Sequence, residues 1–154
     1  EEVMLPNLEI GLGRSGRKLK DIELGGYGFI GCANNTANLD KIAAGLKERV
    51  AFYASTPEYA EMLSMFGWSV DQEDFANLSR QGKWQEMGNL VSDDMLEAYA
   101  IITTPKDLPA ALAKRYGGKV DRIQIDETWF EGVSDEQVAN LVTAIKKIPS
   151  HKDG

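Results

Sequence analysis

The stretch AFYASTPEYAEMLSMFGW, residues 51–68, organises the chain, because it predicts the end of one helix, a break and the start of another. Thr56 is suited to cap the second helix, Pro57 fits its first turn and Glu58 adds an acid there. Aromatic and hydroxyl side chains crowd the break: Phe52, Tyr53, Ser55 and Tyr59. The pattern leaves two interpretations open, a helical corner with aromatic packing or a surface that lines a ligand site.

Length and composition limit the classes of protein to which the chain can belong. Its 154 residues suit one domain, and 43% apolar residues are enough for a core. The net charge of -7 argues against a nucleic-acid partner, since a phosphate-binding surface needs clustered lysine and arginine. There is no signal peptide, lipidation motif or long apolar run, so we expect a cytoplasmic protein without membrane contact. Because the first residue is Glu1 rather than methionine, we also expect a piece of something longer.

The sequence offers little for thiol or metal chemistry. Cys32, the one cysteine, excludes an intrachain disulfide and fits a reducing compartment. It lies in an apolar run, which favours a small buried side chain over a reactive thiol. His151, the one histidine, lies in the polar tail, and neither CxxC nor HExxH spacing occurs. We therefore expect no metal site.

Apolar periodicity predicts a mixed α/β fold. Strands are predicted at residues 22–33, 99–103 and 120–125. Helices are predicted at residues 2–15, 37–54, 71–80, 84–90, 93–99, 104–116 and 135–148. The capping signals include an N-cap within residues 34–36 and a capping box from Ser134 to Gln137. Strands that alternate with helices imply βαβ units and a parallel sheet. A (β/α)8 barrel takes about 250 residues, so the pattern looks like the last three units of one.

The segment GLGRSG, with Gly11, Gly13 and Gly16, matches the dinucleotide-binding pattern G-x-G-x-x-G. That pattern needs a strand before it, whereas the apolar spacing upstream favours a helix that ends at these glycines. A helix over residues 3–12 would exclude the nucleotide-binding interpretation.

Seven segments occur in order over nearly the whole chain: LPNLEIGLGRSGR at 5–17, FYASTPEYAEML at 52–63, FGW at 66–68, LSRQGKWQEM at 78–87, DDML at 93–96, ITTPKDLPAAL at 102–112 and RYGGKVDRI at 115–123. In this order and spacing the chain resembles the C-terminal half of the luciferase-like monooxygenase family, in the branch that includes coenzyme F420-dependent oxidoreductases. The resemblance implies the C-terminal portion of a (β/α)8 TIM barrel, with residues 1–154 as a single partial domain and a helical insertion at about residues 52–98. The three predicted strands would then be the sixth, seventh and eighth of the barrel.

The resemblance also implies a site at the carboxyl ends of the strands. It implies FMN or F420 as the cofactor, a small organic substrate, and hydride transfer or oxygen activation. Most family contacts to the cofactor come from the first half of the barrel, so no catalytic residue carries over. The candidate cofactor contacts are Gly31, Asn34, Thr103 and Thr104. The candidate substrate contacts are Phe52, Tyr53, Ser55, Tyr59 and Asp126, with the insertion near the mouth of the barrel.

Two of these positions have a second interpretation. The backbone amides of residues 104–106 can bind an anion, or Thr104 can simply cap the following helix. Asp126 and Glu127 can serve in proton transfer, or they can form a solvated loop.

Three functional hypotheses follow. The chain is the C-terminal half of a flavin- or F420-dependent oxidoreductase, or a non-catalytic half barrel, or a small nucleotide-binding module built on GLGRSG. Because an unpaired parallel edge is a liability, we expect a homo-oligomer or association with the missing N-terminal half.

Overall fold

A computed structural model describes residues 3–68 and 70–153, apart from the side chains of Met62 and Met65. The helices are α1 Met4–Arg14, α2 Thr36–Ala54, α3 Ala60–Met65, α4 Gln72–Arg80, α5 Trp84–Gly88, α6 Asp93–Tyr99, α7 Leu108–Tyr116 and α8 Asp135–Ile145. The strands are β1 Gly25–Gly26, β2 Phe29–Ala33, β3 Ala100–Thr103, β4 Arg122–Ile123 and β5 Phe130–Glu131. Short 3-10 turns lie at Leu19–Asp21, Pro57–Tyr59, Glu127–Trp129 and His151–Asp153.

All strand pairs are parallel, which confirms the predicted α/β class. Strand β2 lies between β3 and β5, and β1 pairs separately with β4. The strand predicted at residues 22–33 is therefore two strands, interrupted at Tyr27 and Gly28. The strand predicted at residues 120–125 is reduced to β4, because the chain then turns at Asp126 and resumes as β5.

The strand order differs from that expected for consecutive strands of a barrel. In a barrel, the third predicted strand would pair with the second. Here β4 pairs with β1 and β5 with β2, both within the first predicted strand, and β5 lies on the side of β2 opposite β3. Reciprocal hydrogen bonds of 2.8 Å begin this pairing, from Leu24 N to Asp121 Oδ2 and from Asp121 N to Leu24 O. Residues 3–68 and 70–153 form two small parallel sheets, and no closed barrel is formed among them.

Helices cover both faces of the central strands, as a parallel sheet requires. One core cluster joins α2 to the helices of residues 60–99, with Leu46 and Phe75 fully buried. The other joins β2 and β3 to α7 and α8. Successive β2 residues alternate between them: Ile30 and Cys32 belong to the second cluster, and Ala33 to the first. Burial raises the pKa of the Cys32 thiol to about 11, as expected of a packed cysteine rather than a reactive one.

Helix α1 excludes the nucleotide-binding interpretation. It spans Met4–Arg14, so a helix rather than a strand leads into GLGRSG. Residue 2 of the predicted helix lies outside the described residues. Gly16 has φ +68°, and Arg17 N donates to Leu12 O at 2.9 Å, which closes the helix end. Gly11 and Gly13 therefore lie within α1 and Gly16 follows its end, so the predicted helix is confirmed and the hypothesis of a dinucleotide-binding module is excluded.

Several helix boundaries differ from the predictions. The helix predicted to start at Thr104 starts at Leu108, after a turn. The stretch after Thr56 begins as a 3-10 turn, without a side-chain cap from Thr56. The capping box at Ser134 is confirmed, since Gln137 N donates to Ser134 Oγ at 3.3 Å and Ser134 N donates to Gln137 Oε1 at 3.0 Å.

Candidate functional site

At the carboxyl end of β2, Asn34 is held by the protein itself. Its Nδ2 donates to the carbonyl of Gly132 and, at 3.2 Å, to Gln137 Oε1. In return, Gln137 Nε2 donates to Asn34 Oδ1 at 2.9 Å. Both the donor and the acceptor of this amide therefore serve to join β2 to the start of α8.

At the carboxyl end of β3, Thr104 closes a turn. Its Oγ1 donates to Asp107 Oδ2 at 2.7 Å and accepts from Asp107 N at 3.3 Å. Thr104 therefore closes the turn that precedes α7 and does not itself cap the helix, which begins at Leu108 after the N-cap residue Asp107. The carboxylate of Asp107 places negative charge at this turn, which opposes binding of an anion by the nearby amides. Thr103, half-buried, ends β3 opposite Cys32.

Asp126 lies between two strands rather than beyond the last one. Its Oδ1 accepts from Thr128 Oγ1 at 2.7 Å and from Thr128 N at 3.0 Å. These hydrogen bonds hold the pKa of Asp126 below its ordinary value, and the charge of Arg49 adds to the effect. An exposed carboxylate of lowered pKa stays ionised at neutral pH, so it is poorly suited to donate a proton. The acid at the true carboxyl end is Glu131, whose Oε1 lies 2.8 Å from Lys41 Nζ.

Gly31 makes room for a neighbouring helix. A methyl group added at its Cα would lie 2.4 Å from Cγ2 of Ile42 on α2. Gly31 itself is buried. Close packing of α2 on β2 therefore accounts for this glycine, with no ligand required.

An aromatic pocket lies at the opposite, amino ends of the strands. We use this name for a cavity of about 260 Å³ between the start of β2, the end of α2, the 3-10 turn after it and the ends of α6 and α7. Its lining is Tyr27, Gly28, Phe29, Val50, Tyr53, Ala54, Tyr59, Leu63, Ala98, Tyr99, Arg115 and Tyr116. Six of these twelve residues are aromatic, and Arg115 is the one with a formal charge.

The aromatic rings of the pocket contact one another in a chain. The ring centroids of Phe29 and Tyr53 are 6.1 Å apart, and those of Tyr53 and Tyr59 are 5.9 Å apart at an interplanar angle of 89°. Tyr27 meets Phe29 edge to face at 6.4 Å. Such tilted and edge-to-face contacts are the favoured geometries of aromatic pairs.

Polar groups of the pocket come from tyrosine and arginine. Burial raises the pKa of Tyr99, so its phenol remains a neutral hydrogen-bond donor at neutral pH. Tyr116 Oη donates to Tyr27 O at a long 3.4 Å. A methyl group at Gly28 would lie 2.5 Å from Tyr116 Oη, so this glycine allows the phenol to approach the strand.

Tyr53 and Tyr59 line this pocket, and the other two residues predicted around the break do not. Ser55 Oγ donates to Phe52 O at 2.7 Å within the helix end. The Phe52 ring is 47% exposed and lies 6.3 Å from the ring of Trp84 on the outer surface.

The structure thus separates the predicted site residues into two groups at opposite ends of the strands. Helix α2 starts after the carboxyl end of β2 and runs back, so that Tyr53 near its end reaches Phe29 at the start of β2. The segment that follows α2 therefore starts at the amino ends, not near the carboxyl-end mouth. Gly31, Asn34, Thr103 and Thr104 belong to the other end, and they do not meet Tyr53 or Tyr59.

Several residues of interest were missed by sequence reasoning. Tyr27 and Tyr99 precede strands, and Arg115 and Tyr116 end a helix. Since loops at one end of parallel strands converge, aromatic residues directly before strands were a usable signal. His151 was assigned to a polar tail, but its side chain is only 5% exposed. Its Nδ1 lies 2.8 Å from Asp121 Oδ2, and Nε2 lies 3.2 Å from Leu19 O.

No grouping of three or more metal-ligating side chains occurs within residues 3–68 and 70–153. Over the same residues, no helix is both long and apolar enough to cross a membrane.

Comparison with known proteins gives relatives but no activity. No family model matches the chain. The chain is 34% identical over 122 residues to Uncharacterized protein Rv1360 of Mycobacterium tuberculosis, and equally to Uncharacterized protein Mb1395 of Mycobacterium bovis. Each match covers 79% of this chain and 36% of the relative. The chain thus spans about a third of the length of the curated relatives it matches, and their names state no activity.

Proposed function

We propose that the chain is the C-terminal portion of a luciferase-like oxidoreductase, which uses FMN or F420 to act on a small organic substrate. The observation that carries the proposal is the succession of parallel strands, each followed by a helix: β2 by α2, β3 by α7, and β5 by α8. The ordered segments of the sequence resemblance support it. So does the match to about a third of longer proteins.

The described residues do not by themselves form a cradle for the cofactor ring. At the carboxyl ends, the side chains of Asn34 and Thr104 are engaged within the protein, and Ile42 packs where Gly31 has no side chain. The aromatic pocket, at about 260 Å³, falls below the roughly 300–1,000 Å³ of pockets that enclose drug-sized ligands. The proposal therefore assigns most cofactor contacts to residues outside this chain. The cofactor would supply the redox chemistry, and this portion would complete the fold around it.

A titration tests this proposal. FMN and F420 are added separately to this chain and to the full product of its reading frame, and cofactor fluorescence is followed. We expect tight binding of one cofactor by the full product, with substrate-dependent reoxidation or reduction. Failure of both forms to bind either cofactor would end the proposal. The proposal would also end if the reading frame encoded no further residues and this chain bound neither FMN nor F420.

A second candidate is a non-catalytic half barrel that associates with a second copy or with the remainder of the barrel. Exposed apolar groups favour it, since Val3, Met4 and Ile10 on and beside α1 are 57%, 61% and 56% exposed. Within the described residues, β3 pairs only through its β2 side. Sedimentation would distinguish this candidate, because a stable compact monomer contradicts it. Both candidates place the protein in the cytoplasm, where a lone cysteine stays reduced.

A further inference from the structure

We propose that the aromatic pocket at the amino ends of the strands binds a small planar aromatic anion, such as an aryl carboxylate. Its ring would lie against the tyrosine and phenylalanine faces, and its carboxylate would bind Arg115. The inference stands on the pocket alone and does not depend on the oxidoreductase proposal.

The size of the pocket limits the ligand to one or two rings. A cavity of about 150 Å³ is enough to hold benzene. The aromatic pocket measures about 260 Å³, so it has room for a fused two-ring system with one small substituent. A mononucleotide cofactor is larger than this.

The walls of the pocket favour a flat ring. Phe29 and Tyr53 form one side, and Tyr59 stands at right angles to Tyr53. A planar ligand can stack on one ring and meet another edge to face, which are the two favoured aromatic geometries. Tyr53 and Tyr59 are 38% and 39% exposed, so these walls are reached from solvent.

Arg115 sets the charge of the ligand. Its Nη2 donates to the main-chain carbonyl of Glu97, a neutral acceptor that holds the guanidinium without cancelling its charge. A guanidinium has five N–H donors in a fork that matches a carboxylate. Tyr99 also lines the pocket, and its phenol, protonated at neutral pH, is a second possible hydrogen-bond donor.

The same charge argues against the other common ligand of an aromatic cage. Quaternary ammonium groups bind among aromatic faces through cation–π attraction. A guanidinium in the same lining repels such a cation, whereas it attracts a carboxylate. The pocket therefore combines aromatic walls with selection for negative charge.

Calorimetric titration with two probes of equal shape tests the proposal. The probes are 2-naphthoate and the uncharged 2-naphthamide, and phenyltrimethylammonium is the cationic comparison. We expect 2-naphthoate to bind about tenfold tighter than the amide, the scale of one charge-assisted hydrogen bond. Equal binding of the two naphthyl probes, or tighter binding of the cation, would overturn the proposal.

Three variants locate the binding. Arg115→Gln should weaken 2-naphthoate about tenfold and leave 2-naphthamide within about twofold, because only the charge is lost. Tyr53→Leu should weaken both naphthyl probes. Trp84→Leu is its matched control, since Trp84 is an aromatic residue of the outer surface, 44% exposed, that is not part of the pocket lining. Circular dichroism confirms that each variant is folded. A folded Arg115→Gln variant with unchanged naphthoate affinity would refute the role of Arg115. Equal loss of naphthoate binding in Tyr53→Leu and Trp84→Leu would refute binding in the pocket.

Discussion

The two ends of the parallel strands differ in what their polar and aromatic groups contact. At the carboxyl ends, the side chains of Asn34 and Thr104 each bond to a neighbour within the protein. At the amino ends, aromatic rings and Arg115 surround a cavity. A polar side chain beyond a strand is therefore weak support for a site, because the fold itself can use it. Aromatic rings around a cavity that opens to solvent are stronger support, since ligand pockets are concave and lined mainly by apolar and aromatic side chains.

Two glycines, Gly31 within β2 and Gly28 directly before it, give the largest expected effects on stability. We expect Gly31→Ala to lower the free energy of unfolding by about 1–3 kcal/mol, because its new methyl group meets the stiff, β-branched Ile42 within the core. We expect Gly28→Ala to cost less, since the atom in its way is the terminal hydroxyl of Tyr116. Urea unfolding monitored by circular dichroism measures both.

Gly28→Ala should instead affect the pocket. The displaced Tyr116 ring would change the cavity and weaken the binding of 2-naphthoate, whereas Gly31→Ala should leave binding by the remaining folded protein unchanged. A greater loss of stability in Gly28→Ala than in Gly31→Ala would contradict the tight packing of Ile42 on Gly31 and the easier displacement of the Tyr116 hydroxyl near Gly28.

The side-chain amides of Asn34 and Gln137, which hydrogen bond to each other at the carboxyl ends, should contribute less to stability. We expect Asn34→Ala and Gln137→Ala each to lower the free energy of unfolding by about 0.5–1.5 kcal/mol, as is usual for a lost hydrogen bond. Gln137→Ala should cost more, because Gln137 also caps Ser134. The double variant should cost less than the sum of the two, since each single change already breaks the pair. Strict additivity in thermal unfolding would show that the amides do not stabilise each other.

The fold was predictable where its signals are local. The capping box at Ser134, the N-cap at Asn35 and the glycine at the end of α1 all lie within a few residues of the elements they define. The helices predicted at residues 37–54 and 71–80 accordingly agree with α2 and α4 to within two residues. The burial of Cys32 followed from its apolar neighbours in the same way.

The order of the strands was not predictable, because it depends on contacts between distant residues. The pairing of β1 with β4 starts from Leu24 and Asp121, which are 97 residues apart in the chain. The turn at Asp126 diverts the chain so that Trp129 packs against Gly45, and β5 forms only beyond it. The predicted cofactor and substrate contacts lie at opposite ends of the strands for the same reason. They assumed that the end of α2 lies near the carboxyl ends, whereas a helix that follows a parallel strand returns to the amino ends.

Two carboxylates that flank β4, Asp121 before it and Asp126 after it, provide the last and smallest effect. Asp121 is 11% exposed near the amino ends, and Asp126 is exposed on its loop. Burial alone would raise the pKa of Asp121. The hydrogen bond from Leu24 N and the charges of His151 and Lys152 outweigh it, so the pKa lies below the ordinary 3.8. The pKa of Asp126 is lowered chiefly by Thr128.

The pKa of each carboxylate is lower in the folded protein than in the unfolded chain, so ionisation of each group favours folding. This stabilisation is complete above about pH 3.8 and is lost as the pH falls through the folded-state pKa. Asp121→Asn should therefore lower the melting temperature at pH 7, and its difference from the unmodified protein should shrink towards pH 2. Asp126→Asn should show the same pH dependence with a smaller change in melting temperature. Its hydrogen-bond partner, Thr128, is only two residues away, and solvent screens the charge of the exposed Asp126 carboxylate. Melting temperatures of the two variants and the unmodified protein, measured at half-unit steps from pH 7 to pH 2, test both expectations. A difference for Asp121→Asn that persists unchanged at pH 2 would mean that the side chain contributes by shape and not by charge. A larger effect of Asp126→Asn than of Asp121→Asn would reverse the expected ranking of the two carboxylates.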